Sequence, residues 1–362
     1  MEYSNPFSIC FNMMKLRYSI YDESITSLNI LTPEDKINVF INLETSWKYL
    51  SMVRDLEKKL VLNQDFKTFM IADIINIAAH YKEFFKNNGL DTKVFLYTTD
   101  FDSSLGDFNE SKYNEDYRSY YLNKYNTNPK FVLLTDGLKE KILPKVKTLC
   151  DFSPDVYLIQ SKNIDGSLVP FIIGKQYPDR KNFIISGDRY ETQYIFEKDF
   201  VHHLYLRNFS NTSLSCTMKD YLKAICKLQE VNQEEVLLYK NPSFYLLLLS
   251  CIGDRYRSID GIGGFGYKTL TKTIIQGINS KKITKNTESI ELLLELFDDG
   301  LREYVEENFN SLNLKNSYNL LLDGDKKDIL SQIVDRSDLN SLLSLNKSMF
   351  KNNELRIESL LK

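Results

Sequence analysis

Five short runs of β-branched and aromatic residues frame this chain: Ile37–Ile41, Val94–Tyr97, Phe131–Leu134, Val156–Ile159 and Phe183–Ile185. Apolar runs of this length suit strands buried on both faces. Helical patterns lie between them at Glu44 to Val61, Lys67 to Phe85 and Leu138 to Leu149, the last interrupted by Pro144. Strands separated by helices predict an α/β fold, a mostly parallel β-sheet flanked by helices. Ligands of such sheets gather at the carboxyl ends of the strands, so acidic residues matter most there.

From about Met218 the strand-like runs give way to helical patterns at Met218–Gln229, Ser243–Ile252, Tyr267–Ile278, Ile290–Asn308 and a C-terminal set. Two regions are predicted: an α/β domain over 1–216 and a mainly helical region over 217–362. Ser103 to Asn128, polar and tyrosine-rich, is long enough to be a functional loop or arch between two strands.

A hydrophobic content of 43% with 26% charged residues predicts a globular chain of 362 residues rather than a disordered one. The net charge of -3 argues against indiscriminate coating of nucleic acid but permits a local basic surface. Cys10, Cys150, Cys216, Cys226 and Cys251 have neither zinc-ligand spacing nor the look of a disulfide framework, which fits a reducing compartment. No signal peptide is recognisable. The longest apolar run, Phe244 to Ile252, falls far short of the roughly 20 residues a membrane span needs. The expectation is a cytoplasmic protein with no membrane partner.

The densest signal is Gly253 to Leu270, where Gly261, Gly263, Gly264 and Gly266 precede a helical pattern carrying Lys268 and Thr269. Glycine lets the backbone turn tightly and approach a ligand closely. Free N–H groups at the following helix start suit a phosphate. Three phosphate motifs compete here. Gly261, Gly263 and Gly266 satisfy GxGxxG, but they do not directly follow the apolar run, and no ribose-binding acid follows at the expected distance. A Walker A loop fails by one residue, Tyr267. A helix–hairpin–helix clamp on a DNA backbone needs a helix before the turn, and Ser243–Ile252 supplies one. The plain alternative is a helix connection with no ligand. Arg255, Arg257, Lys268 and Lys272 give this segment local positive charge, and Lys281, Lys282 and Lys285 extend it.

Gly253 to Thr269 resembles a signature of the flap-endonuclease branch of the 5′ nucleases. Ser186-Gly187-Asp188, with Glu191 and Gln193 following, resembles that family's second signature, and the two stand in the family's order. The resemblance covers residues 36 to 280. It implies a PIN-like domain, a helix–hairpin–helix DNA clamp at Gly261, Gly263, Gly264, Gly266, Lys268 and Thr269, and two divalent ions held by carboxylates at the sheet edge. Of the family's acids, Asp100, Asp165, Asp188 and Asp254 are kept as metal ligands. Asn42, Asn163, Gly166, Tyr190, Arg257 and Ser258 stand where ligands are substituted, and Asp260 stands where the family has proline. The resemblance therefore implies one weak Mg2+ or Mn2+ position, the second having Tyr190 and Arg257, a permanent cation, in place of acids. A K+ ion at the glycine hairpin is also expected. Arg118 and Lys124 in the arch are the catalytic candidates for gripping the scissile phosphate, and its tyrosines are candidates for stacking on unpaired bases.

The leading expectation is a degenerate 5′-nuclease-like protein that binds double-stranded or branched DNA with little or no phosphodiester cleavage. One alternative is an active metal-dependent 5′–3′ exonuclease or flap endonuclease, with Glu44 and Glu191 replacing missing acids. Another is a structural virion or assembly component, docking a protein partner through C-terminal helices that carry Leu339, Leu342, Leu343 and Leu345. The richness in Asn, Lys, Ile and Tyr is common in large AT-rich phages, which adds host cytoplasm or virion as locations. His202 and His203, adjacent on a strand, point to opposite faces and are read as structural. Trp47 is read as core, and the pairs Glu234-Glu235 and Asp298-Asp299 as solvated helix faces.

Overall fold

The computed structural model of the chain describes residues 32, 34–43, 71–99 in part, 142–162, 164–198, 200–204, 218–254 and 259–334. Five strands form one parallel sheet: β1 (Lys36–Asn42), β2 (Asp91–Thr99), β3 (Val156–Ser161), β4 (Arg180–Ser186) and β5 (Phe200–Leu204). Their order is β3-β2-β1-β4-β5. The α/β expectation is thus met. The run Phe131–Leu134 lies outside the described residues, and the His202-His203 run provides the fifth strand. Sequence order reverses at β1, with β2 on one side and β4 on the other. The crevice at the carboxyl ends of β1 and β4 is therefore the place where such sheets bind ligands.

The alternation of side chains sorts each strand between two cores. Ile37, Val39, Ile41, Val94, Leu96, Val156, Leu158 and Phe183 face helical residues of 71–87 and helix α1 (Leu143–Asp151). Phe40, Phe95, Tyr157 and Ile184 face the other way, toward helix α2 (Val169–Gln176) and the helical region that follows. Phe40, Phe95 and Tyr157 are register partners across β1, β2 and β3, and both ring pairs stack at 5.1 Å. Such pairs contribute about 1 kcal/mol each beyond their burial.

The second face is shared with α3 (Met218–Cys226), α4 (Gln233–Leu238), α5 (Pro242–Ile252), α6 (Tyr267–Asn279), α7 (Ile290–Leu294), α8 (Asp299–Ser311), α9 (Leu314–Asn319) and α10 (Asp323–Ser331). No helix among the described residues is long and apolar enough to cross a membrane.

Three readings of the sequence change. Pro144 opens α1 instead of interrupting it, because its missing N–H falls where a helix leaves that group unused. The continuous helix expected over Ile290–Asn308 is two helices. The Ser289 side chain caps α7, and extended Asp298 starts α8, so the Asp298-Asp299 pair marks a helix start. Glu235 is not a solvated bystander either. It closes a capping box with Asn232 and accepts the Tyr267 hydroxyl at 2.8 Å.

Candidate functional site

At the carboxyl ends of β1, β2 and β4 the chain assembles a group of buried polar residues. β1 ends at Asn42, the register partner of Tyr97 on β2, and β4 ends at Ser186. Beyond Ser186 the backbone turns, with the Asp188 N–H donating to Ser186 Oγ at 3.0 Å and the Tyr190 N–H donating to Asp188 Oδ1 at 2.9 Å. That turn leads into a short 3-10 helix, Tyr190–Phe196, which carries Glu191 back under the strand ends.

Glu191 is wholly buried. Its Oε1 accepts from the Tyr97 hydroxyl at 2.8 Å and from Asn42 Nδ2 at 3.0 Å, while Oε2 has no hydrogen-bond partner. Burial pushes its carboxyl well above the usual range, and the nearby charges of Asp188 and Asp165 add to the effect, against the neighbouring Ser186 hydroxyl and the Tyr97 hydrogen bond. Burial likewise raises the Tyr97 phenol, with the Glu191 charge as the next cause. Three carboxyl groups thus share one corner electrostatically.

Asp165 enters from the loop after β3. It is buried, and its Oδ1 accepts from the Ser167 N–H at 2.9 Å, capping the turn Gly166–Leu168. Gly166 donates its N–H to Thr99 Oγ1 at 3.0 Å, fixing that loop to the end of β2. A Cβ at 166 would lie 2.8 Å from Thr99 Oγ1 and 3.1 Å from its backbone nitrogen. An acid cannot occupy 166 on this backbone, so its absence goes with close packing.

Tyr190 is not in the acid cluster. It is buried, and its hydroxyl donates to Ser317 Oγ of α9 at 2.9 Å. The resemblance sets Tyr190 where the family has an acid; here its ring is buried against α9, and the carboxyl that faces Asn42 and Tyr97 is that of Glu191. Gln193 is structural as well, bridging to the backbone of Leu312 and Leu314.

The glycine segment joins α5 to α6. Asp254 and Ile259 pair through both backbone hydrogen bonds, at 2.8 and 3.0 Å, and Asp254 is buried. Gly253 ends α5 at φ 69°, and a Cβ there would meet Gly261 N at 2.4 Å. Asp260, where the resembled family has proline, offers its carbonyl to Asn308 Nδ2 at 2.9 Å. The hairpin base is therefore tightly closed. Its tip differs: a Cβ at Gly263, Gly264 or Gly266 would meet nothing within 4 Å, and Gly264 holds φ 83°. Lys268 and Thr269, also expected there, are both exposed in the first turn of α6.

Arg189 connects the two sites, donating from Nη1 to the Gly253 carbonyl at 2.8 Å. No sequence reading named it, nor Tyr97; a basic residue next to the Ser-Gly-Asp turn was the only signal. Among the described residues no three Asp, Glu, His or Cys side chains are grouped so as to hold a metal ion. Asp100, Arg118, Lys124, Glu44, Trp47, Asn163, Arg255, Arg257, Ser258 and the leucines from 339 onward lie outside the described residues, as do the side chains of His202 and His203.

No protein-family model matches the chain, and no curated protein does. Among solved structures it is similar to a 5′-exonuclease of T5 with bound zinc, at 15% identity and a TM-score of 0.46, over 82% of this chain and 100% of that one. It is also similar to a bacteriophage T5 flap endonuclease in a pseudo-enzyme–product complex with DNA and metal ions, at 15% identity and a TM-score of 0.48, over 82% and 99%. Identity this low carries nothing about activity or ligands over to this chain.

Proposed function

We propose that this protein grips the phosphate backbone of double-stranded or branched DNA through the tip of the 253–266 hairpin and the start of α6, and sustains little or no phosphodiester cleavage. The observation that carries this reading is Lys268 at the start of α6 directly behind Gly263, Gly264 and Gly266, where an added Cβ would meet nothing within 4 Å. A helix N-terminus favours acids, and α3, α4, α7, α8 and α10 each have one in the first turn, while α1, α2, α5 and α9, like α6, have none. α6 has none and carries Lys268 there, behind a Gly266 cap with no side-chain hydrogen bond. A cation at the positive end of a helix is unfavourable by itself. An anion bound between the Gly263–Gly266 backbone and Lys268 reverses that sign. A K+ ion on hairpin carbonyls would belong to the same grip.

Gel shifts with duplex and flap DNA test the reading. Replacing Lys268 with Gln and Gly263 and Gly266 with Ala should weaken binding at least tenfold. Unchanged binding would contradict it.

Glu191 favours a second reading, a metal-dependent 5′ nuclease with a rearranged site. A divalent ion suits this corner in that Glu191 Oε2 is buried with no hydrogen-bond partner among carboxyl groups that repel one another. Asp165, Asp188 and Glu191 would hold it, with Asp254 and with Asp100, which follows Thr99 in the sequence, as further candidate ligands. Such an ion, when bound, supplies Lewis-acid stabilisation of phosphoryl charge and a metal-bound nucleophile. Tyr97 and Asn42 orient Glu191, and Arg189 holds the hairpin to the Asp188 turn. Cleavage of labelled flap DNA in Mg2+ or Mn2+ that disappears in Asp188→Ala would favour this reading over the first.

A further inference from the structure

The basic surface does not stop at the hairpin. From Gly261 through Thr287 the chain contains no Asp or Glu but five lysines, Lys268, Lys272, Lys281, Lys282 and Lys285, in a protein whose net charge is -3. All five are exposed, and none is in a salt bridge among the described residues, whereas Lys36, Lys82, Lys181 and Lys315 each have a carboxylate partner. Lys268 and Lys272 lie one turn apart on α6. Gln276 and Asn279 continue the same exposed edge to the helix end.

The loop that follows is held in place residue by residue. The Lys281 N–H donates to the Ile278 carbonyl and the Lys282 N–H to the Gly277 carbonyl, both at 3.0 Å, closing a Schellman turn. Lys281 occupies the left-handed position of that turn at φ 60°, where glycine or asparagine is the usual occupant. Asn241 Nδ2 donates to the carbonyls of Lys285 and Thr287, and the Thr284 N–H donates to Thr287 Oγ1 at 2.8 Å. Three lysines are therefore presented on fixed backbone with no salt-bridge partner among the described residues. The favourable field at a helix C-terminus accounts for lysines at 281 and 282. It does not account for Lys268 and Lys272 at the opposite end, nor for a whole segment without an acid.

We infer that Lys281, Lys282 and Lys285 form a second phosphate-contact point, and that α6 is the spacer between it and the hairpin along duplex DNA. Thirteen residues separate Lys268 from Lys281, which at about 1.5 Å per residue is about 20 Å. At about 3.4 Å per base pair that distance spans about six base pairs of duplex. The inference rests on the proposed DNA-binding function and extends it to an elongated footprint.

Salt-dependent fluorescence anisotropy tests it with the full chain, a labelled duplex and the triple variant Lys281→Gln, Lys282→Gln, Lys285→Gln. Removing one lysine–phosphate pairing makes the log–log salt slope shallower by about 0.9 on duplex DNA. The triple variant should be shallower by about 2.7, so wild type loses about 40-fold more affinity than the variant between 50 and 200 mM salt. Lys281→Gly adds a readout that a structural role would not give: its melting temperature should rise while its salt slope becomes shallower. A wild type that binds duplex with a slope shared by the triple variant would overturn the inference and leave the hairpin reading standing. A wild type that binds no duplex would remove both. A triple variant that keeps its duplex slope but loses binding to anionic phosphatidylserine vesicles would overturn the inference in favour of a lipid surface.

Discussion

The two ends of the parallel sheet treat charge in opposite ways. At the amino ends, Arg180 is buried and fully engaged. It donates to Asn38 Oδ1 at 2.8 Å, to Asp91 Oδ2 at 2.7 Å, and to the carbonyls of Ile37 and Asp91. Lys36–Asp179, Lys181–Asp35 and Lys82–Asp155 pair at or near the same end. At the carboxyl ends, burial and the charges of Asp188 and Asp165 raise the cost of ionising Glu191, and one oxygen of Glu191 has no hydrogen-bond partner. A charge with matched partners belongs to the fold. Like charges brought together under burial are destabilising, and they persist where a ligand offsets them.

The largest expected effect comes from breaking the matched end. Arg180→Ala strips donors from buried Asn38 and the Ile37 carbonyl while exposed Asp91 stays solvated, and should destabilise the protein by about 2–3 kcal/mol in denaturant titration, with the salt slope for DNA unchanged. A loss below about 0.5 kcal/mol would mean that the amino end is not the structural end.

The unmatched end should respond with the opposite sign. The folded protein raises the Glu191 pKa, so it binds that proton more tightly than the unfolded chain does. Its contribution to stability is fully present below the ordinary carboxylate range and is lost as pH rises through the raised value. Glu191→Gln in chelator should therefore stabilise the protein at neutral pH by about 1–3 kcal/mol and flatten its decline with pH. Added Mn2+ should raise the melting temperature of wild type more than that of Glu191→Gln. Equal pH profiles for the two proteins would break the comparison.

Within the hairpin the effects are smaller. Gly264→Ala meets open space but must hold φ 83°, a strain of about 1 kcal/mol in thermal unfolding. Gly263→Ala has neither a clash nor a positive φ, so its stability should stay within about 0.5 kcal/mol of wild type. Its affinity for duplex DNA should nonetheless fall several-fold, because a methyl group intrudes where the backbone meets phosphate.

Much of this was legible in the sequence, and what was not has a physical cause. β-Branched runs gave four of the five described strands, because strands buried on both faces need little but apolar side chains. β5 was not among those runs, although His202 and His203 were read as neighbours on a strand, because the two histidines interrupt the β-branched and aromatic pattern that marks the other four. The break between α7 and α8 was hidden because Asp298 reads equally well as a helix surface or a cap. In the site, Ser186-Gly187-Asp188 announced Asp188, but which neighbour turned inward was set by a 3-10 helix that points Tyr190 at Ser317 and Glu191 at Tyr97. Spacing alone does not reveal that rotation. Arg189 was missed because its partner is a backbone carbonyl, which no side-chain pattern records.

In the proposed function the hairpin binds DNA whether or not the carboxylate corner can cut it. One labelled flap substrate, incubated with Mg2+ and followed for both anisotropy and strand scission, tests it in wild type, in Asp188→Ala, and in the combined Gly263→Ala, Gly266→Ala, Lys268→Gln variant. Tight binding is expected of wild type and Asp188→Ala, at least tenfold weaker binding of the hairpin variant, and little scission by any. Hairpin variant binding equal to wild type, or efficient scission abolished by Asp188→Ala, would contradict it.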